Sequence, residues 1–156
     1  MDNGIKYQIR FWDTAGQERF REIRKTYMRK QDCYVFVFDH SEEDTLQSIE
    51  SKYIKQMMEF ASEDSLKKPL FLIGNKSDIN DEDKKVKQAD IFNLIKNYGM
   101  KYFDVSCKLN QNVDQLFEEI KLKTIEYTKS DSYINNQNIQ LTSKVDEKKK
   151  QRRNCC

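Results

Sequence analysis

The chain has 156 residues, with 28 basic and 26 acidic side chains and a formal net charge of +2. This length predicts one domain that buries a core of ordinary size, and it excludes two large domains. The longest uninterrupted apolar run, residues 33–38, is far shorter than the roughly 20 residues that a membrane-spanning helix needs, so no membrane span is expected.

The N-terminal residues show the alternation of a half-buried strand. Apolar side chains occupy every second position from Ile5 to Phe11, with polar side chains between them, which predicts a β-strand. Residues 2–4 resemble a hairpin turn with no strand before it, so we expect the chain to begin inside a domain. No secretory signal peptide is expected, because the basic and apolar regions of such a peptide are absent. The four cysteines are therefore expected to be reduced, and their spacing favours neither disulfides nor a metal site.

Three further strands are predicted along the chain. The apolar run at 33–38 is typical of a parallel strand that is covered on both faces. A second buried strand is expected at 70–73, and a shorter one at 102–105. Together these runs predict a mostly parallel sheet.

Helical periodicity separates the predicted strands. Apolar residues at steps of three and four between positions 46 and 60 predict an amphipathic helix. A second helix is expected to end at Gly99, in the position after its last residue. A third, at 113–127, is predicted to begin with Asn112 as its N-cap and Gln115 as the capping-box partner. The alternation of strands and helices predicts the α/β class.

The chain is expected to divide into a domain at 1–129 and a disordered tail at 130–156. The periodicity stops after the domain, and the tail is rich in Ser and Asn before a basic run at 148–153 and two terminal cysteines. The tail carries 6 basic and 3 acidic side chains, so it supplies the excess positive charge of the chain.

Three polar motifs follow the predicted strands, at the edge where open α/β sheets bind ligands. They are Asp13-Thr14-Ala15-Gly16-Gln17, Asn75-Lys76-Ser77-Asp78 and Ser106-Cys107-Lys108. Their order and spacing resemble the Rab family of small GTPases, and the terminal pair of cysteines strengthens this resemblance. The resemblance covers residues 5–129 and the extreme C-terminus. It implies a Ras-like P-loop NTPase architecture, with helices on both faces of a mostly parallel sheet.

The resemblance implies a site for a guanine base. Guanine presents two adjacent hydrogen-bond donors on one edge, and one carboxylate accepts both, whereas adenine does not offer this pair. Asp78 matches the family residue in this role. Five further residues match the family's base-binding positions. They are Lys76 and Lys108 beside the base, Asn75 between the loops, and Ser106 and Cys107, whose backbone amides meet the guanine carbonyl.

The resemblance also implies phosphate chemistry on GTP or GDP with Mg²⁺. Asp13 matches a residue that holds the metal through water, and Gly16 matches a residue whose backbone approaches the terminal phosphate. Gln17 matches the catalytic residue that orients the attacking water. The sequence shows no Gly-rich phosphate loop. We therefore expect a truncated Rab-like GTPase without the P-loop, the first switch, the first two strands and the first helix, which is marginally stable and binds GTP and Mg²⁺ weakly.

The same resemblance implies a switch in intracellular vesicle transport. Trp12 and Tyr27 match an aromatic surface that binds effectors, although residues 27–31 depart from the usual family pattern. Cys155 and Cys156 behind the basic run suit double geranylgeranylation by Rab escort protein and geranylgeranyl transferase. This lipidation implies attachment to the cytoplasmic face of intracellular membranes, with a cytosolic pool. Exchange factors and GTPase-activating proteins are the other expected partners.

Alternatives of other classes remain open. One is a prenylated adaptor that binds escort or effector proteins through Trp12, Tyr27 and the tail, without nucleotide chemistry. Another is a nucleic-acid binder that uses the basic run, which we do not expect because the tail lacks an interleaved aromatic platform. Each motif taken alone is typical of an ordinary turn or polar loop. His40, the single histidine, is expected in a loop or on the surface, and packing in the core is an alternative for Trp12.

Overall fold

The computed structural model describes residues 7–13, 27–61 and 65–130. Predictions for Gly16, Gln17, Cys155 and Cys156 lie outside this part of the chain. In chain order the elements are β1 (Tyr34–Asp39), α1 (Glu43–Ser48), a π-helical segment (Ile49–Ile54), α2 (Lys55–Phe60), a 3₁₀ turn (Ser65–Lys67), β2 (Leu70–Asn75), a second 3₁₀ turn (Asp81–Asp83), α3 (Gln88–Tyr98), β3 (Lys101–Asp104) and α4 (Val113–Thr128).

The described strands form one parallel sheet in the order β1-β2-β3. Side chains that alternate along β2 point to opposite faces, so Leu70 and Leu72 join one buried cluster while Phe71 and Ile73 join another. The first cluster contains residues of α1, α2 and α3, and the second contains residues of α4. The predicted α/β class, with a parallel sheet and helices on both faces, is confirmed.

One face of β1 is open, which contradicts the prediction of a strand covered on both faces. Tyr34, Phe36 and Phe38 are buried, whereas Val35 and Val37 are 39% and 58% exposed. The reason is the position of α4, whose buried residues pack over β2 and the end of β3 rather than over β1. Among the described residues, β1 is therefore a strand with one covered face.

The strand predicted at the N-terminal end is not formed in the described residues. Residues 7–13 have no regular secondary structure. A strand needs a neighbouring strand to pair its backbone groups. Among the described residues β1 pairs only with β2, so residues 7–13 have no strand pairing with β1. Aromatic contacts hold the segment instead: Phe11 packs edge-to-face on Phe117 of α4, with ring centroids 5.3 Å apart.

The helix predicted between positions 46 and 60 is confirmed, with a π-helical segment at its centre. Leu46, Ile49, Ile54, Met57 and Phe60 form its buried stripe. A π-helical turn contains more residues than an α-helical turn. Ile49 and Ile54, which are five positions apart, are therefore both on the buried side.

The predicted end of α3 is confirmed, but the predicted cap of α4 is wrong in its details. Gly99 follows α3 with a left-handed φ of +63°. Asn112 is the N-cap of α4, but its φ is +59° and its side chain makes no capping hydrogen bond. Its Nδ2 instead donates to the carbonyl oxygen of Asp104 at 2.9 Å, which ties the start of α4 to the end of β3.

No helix in the described ranges is both long and apolar enough to span a membrane.

Candidate functional site

Two polar loops meet at the carboxyl edge of the sheet. We call residues 75–78 the β2 loop and residues 106–108 the β3 loop. The register of the strands, in which Gly74 pairs with Asp104, places the two strand ends side by side. Across the gap, Asn75 Oδ1 accepts a hydrogen bond from the backbone N–H of Cys107 at 3.2 Å, and the N–H of Ser77 donates to the Val105 carbonyl at 3.0 Å. The loops predicted to act together are therefore connected directly.

Asp78 lies at the centre of these loops. The hydroxyl of Ser106 donates to Asp78 Oδ1 at 2.5 Å, and the ammonium of Lys108 lies 3.8 Å from Oδ2. The hydrogen bond from Ser106 is the main cause that lowers the pKa of Asp78, and the positive charges of Lys108 and Lys76 add to it. The carboxylate is thus held ionised, and its oxygens keep lone pairs for further donors.

Lys76 is held on the side of the site nearest β1. It adopts a left-handed φ of +65°, and its ammonium lies 2.6 Å from Asp39 Oδ2 at the end of β1. Asp39 Oδ1 accepts hydrogen bonds from the backbone N–H and the hydroxyl of Ser41, at 2.8 and 2.6 Å. Partial burial alone would raise the pKa of Asp39, but these hydrogen bonds and the charge of Lys76 outweigh it and lower that pKa.

We expect the S106A substitution to raise the pKa of Asp78 toward its ordinary value, because the variant loses the hydroxyl that stabilises the carboxylate. A carboxyl group whose pKa is lower in the folded than in the unfolded protein stabilises the fold at pH values above its unfolded pKa. This contribution disappears as the pH falls through the folded pKa. Carboxylate ¹³C shifts followed over an acid titration measure the change. The S41A substitution is the matched control, because its hydroxyl binds Asp39 rather than Asp78. An unchanged Asp78 titration in S106A would contradict the assignment.

The described residues do not form a magnesium site on their own. Asp13 is exposed, and no group of three or more His, Cys, Asp or Glu side chains in the described ranges is arranged to hold a metal. Gly16 and Gln17, which the sequence groups with Asp13, lie outside those ranges.

Trp12, which is exposed, stacks on Tyr27, which is half-buried. Their rings stack with centroids 4.4 Å apart and planes inclined by 28°, although the two residues belong to separate described segments, 7–13 and 27–61. Trp12 is 49% exposed, so the alternative of a core position for this residue is wrong.

His40 lies in the turn after β1, which agrees with its predicted place in a loop, but it is buried rather than on the surface. It is only 1% exposed, and its Nε2 lies 2.5 Å from Asp104 Oδ1. The only signal in the sequence was a histidine directly after a buried strand. Its partner is 64 residues away, a separation that periodicity does not reveal.

Comparisons with known proteins show the family of this chain. The model of the Ras family matches residues 1–126. The chain belongs to the Ras family. Among curated proteins, it is 35% identical over 144 residues to "Ras-related protein RABE1e" of Arabidopsis thaliana, which covers 90% of this chain and 63% of that protein. It is 34% identical over 118 residues to "Ras-related protein Rab-26" of Mus musculus, covering 76% and 44%, and 36% identical over 118 residues to "Ras-related protein Rab-15" of Homo sapiens, covering 76% and 53%.

These relatives confirm the predicted membership of the Rab family within the Ras superfamily. Proteins of this family generally bind GTP or GDP together with Mg²⁺. The chain spans between 44% and 63% of the length of these three relatives.

Proposed function

We propose that this Rab-family chain recognises the guanine base of GTP and GDP through the β2 and β3 loops. The observation that carries the proposal is the carboxylate of Asp78, which Ser106 orients from the opposite loop at 2.5 Å. Ser106 occupies Oδ1 as a neutral donor, and the ammonium of Lys108 at 3.8 Å is too far from Oδ2 for a hydrogen bond, so Oδ2 keeps lone pairs for a ligand. A base that offers two adjacent N–H groups satisfies such an acceptor better than any base that does not.

The surroundings of Asp78 suit a flat aromatic base. Lys76 and Lys108 are 50% and 81% exposed along their side chains, so their aliphatic stems are available to the two faces of a base. The salt bridge to Asp39 fixes the ammonium of Lys76 away from the carboxylate of Asp78. The connection from Asn75 to the Cys107 amide keeps the two loops at a constant separation.

A wider Rab-type role follows from this base recognition and from family membership. We propose a molecular switch in vesicle transport, in which Asp13, Gly16 and Gln17 serve the phosphates and hydrolysis, and Trp12 and Tyr27 contact effectors. The stacking of the two rings and the exposure of Trp12 support the last role. Exchange factors, GTPase-activating proteins and escort proteins are the partners that such a switch requires. The comparisons do not favour the adaptor without nucleotide chemistry.

Base selectivity tests the proposal without depending on phosphate contacts. We expect guanosine monophosphate to bind the purified chain at least about tenfold more tightly than adenosine monophosphate, because adenine offers neither of the two adjacent N–H donors and even one charge-assisted hydrogen bond accounts for about that factor. Titrations followed by amide NMR shifts measure affinities in the millimolar range. The amides of Ser77, Cys107 and Lys108 should respond first. Equal affinity for the two nucleotides would contradict base recognition.

The membrane attachment proposed for the tail has a separate test. We expect replacement of both Cys155 and Cys156 by Ser to move the protein from the membrane to the soluble fraction of cells that express it. Two lipids give stable anchoring, whereas the basic run at 148–153 alone gives weak, salt-sensitive attraction. The matched control replaces Cys107 by Ser, which removes a thiol outside the tail. Unchanged partitioning of the double variant would contradict the lipid anchor.

A further inference from the structure

A polar cluster around the buried imidazole of His40 lies at the same edge of the sheet as the two loops. His40, Tyr102 and Asp104 meet at one carboxylate oxygen: His40 Nε2 and the Tyr102 hydroxyl each lie 2.5 Å from Asp104 Oδ1. Burial and the neighbouring carboxylate raise the pKa of Tyr102, so its hydroxyl stays protonated and donates. The side chain of Asp104 is 44% exposed, but the imidazole of His40 is buried. A buried polar atom costs stability unless it is paired, so the hydrogen bond between His40 Nε2 and Asp104 fixes the position of the ring.

The cluster joins the outer strands of the described sheet across the middle one. His40 follows β1, Asp104 ends β3, and Gly74 of β2 lies between them. A Cβ at Gly74 would stand 2.5 Å from His40 Nε2 and 2.9 Å from Asp104 Oδ1, so the absence of a side chain there lets the bridge form. The backbone of His40 also binds the central strand, since its N–H donates to the Asn75 carbonyl at 3.1 Å.

Each end of the bridge is next to a residue that arranges the loops. His40 adjoins Asp39, which pairs with Lys76 of the β2 loop. Asp104 is two positions before Ser106, which orients Asp78. The bridge therefore links the strand end beside Asp39, which holds Lys76, to the strand end that precedes Ser106.

The histidine bond also has a fixed direction. A carboxylate only accepts hydrogen bonds, so the N–H group at Nε2 donates the hydrogen bond to Asp104 Oδ1. Among the described residues His40 Nδ1 has no hydrogen-bond partner. Rotation of the ring would therefore break the bond from Nε2 without forming another. The imidazole holds a single orientation as long as the carboxylate is in place.

We propose that the His40–Asp104 bridge, supported by Tyr102, is a positioning element that sets the guanine selectivity of the β2 and β3 loops. This inference rests on the base recognition proposed above. In this proposal, three residues outside the base-contacting motifs position the Asp78 carboxylate so that it accepts hydrogen bonds from both donors of guanine.

The test compares guanosine monophosphate with inosine monophosphate, which lacks the exocyclic amine. A well-placed Asp78 distinguishes them by about tenfold, through one charge-assisted hydrogen bond. We expect H40L to reduce this ratio to about twofold or less, and H40Q, which keeps a donor, to retain more of it than H40L. A merely structural role would weaken both nucleotides equally and leave the ratio unchanged. Both variants are examined as full chains by NMR titration.

Two tyrosine variants keep the test decisive if H40L does not fold. Y102F removes one hydroxyl from the cluster and should lower the ratio by about threefold. Y98F is its matched control, because the Tyr98 hydroxyl donates to Glu50 of the π-helical segment at 3.3 Å rather than to Asp104. If H40L folds and keeps the wild-type ratio of affinities for guanosine and inosine monophosphate, the positioning role alone is overturned. If H40L does not fold, the same result with a folded Y102F overturns it. If the wild-type chain bound guanosine, inosine and adenosine monophosphate with equal affinity, both the proposed function and this inference would be overturned.

Discussion

The D78N variant is expected to lose at least about a hundredfold in affinity for guanosine monophosphate. The carboxylate would make two charge-assisted hydrogen bonds to the base, each of about 1.5 to 3 kcal/mol, and about 1.4 kcal/mol corresponds to tenfold in affinity. An amide accepts one of the two donors and presents its own N–H₂ group to the other. That second contact becomes a clash of donors.

The same variant should gain affinity for xanthosine monophosphate. Xanthine carries a carbonyl where guanine has its amine, so the amide N–H₂ of the variant finds an acceptor while the amide oxygen still accepts the ring N–H. Titration of both nucleotides with the wild type and the variant gives four affinities, and the order of preference should invert. D81N is the matched control, since Asp81 is a highly exposed carboxylate that pairs with Lys84. A D78N variant that keeps the wild-type preference would show that the base binds elsewhere.

The G74A variant is expected to destabilise the fold by about 3 kcal/mol, within the range for overpacking a close-packed interior. The new methyl group would stand 2.5 Å from His40 Nε2 and 2.8 Å from the Tyr102 hydroxyl. Both groups are held in hydrogen bonds to Asp104, so they retreat only by breaking these bonds. Urea unfolding followed by circular dichroism measures the loss.

G99A provides the comparison for G74A. Gly99 has a left-handed φ of +63°, and no atom lies within 4 Å of the position that a Cβ would take, so alanine there meets only backbone strain of about 1 to 2 kcal/mol. The larger loss should therefore belong to G74A. Equal losses in the two variants would mean that the cluster yields without cost and is not rigid.

The sequence predicted the elements whose stability is local or whose apolar run in the sequence is uninterrupted. The apolar run at 33–38 indicated β1, which the structure places one residue later at Tyr34–Asp39. The end of α3 at Gly99 was predictable because a left-handed residue after a helix favours glycine. The loops around Asp78 were predictable from motif order, and the structure brings Asn75, Ser106 and Cys107 together as expected.

The errors fall where a residue's position depends on distant partners. Alternation from Ile5 to Phe11 predicted a strand, but alternation states only which side chains share a face and not whether a neighbour pairs with the backbone. Asn112 binds the Asp104 carbonyl instead of its own helix, which the spacing to Gln115 does not reveal. The burial of His40 requires Gly74 and Asp104, contributed by two other strands.

The most direct test of guanine recognition by this chain is a structure of its complex with guanosine monophosphate. We predict that both N1 and the exocyclic N2 of the base lie within hydrogen-bond distance of the Asp78 carboxylate, with the stems of Lys76 and Lys108 against its two faces. The Ser106 hydroxyl should remain on Oδ1. A nucleotide bound away from the β2 and β3 loops, or a base whose N1 and N2 make no contact with Asp78, would contradict guanine recognition by these loops.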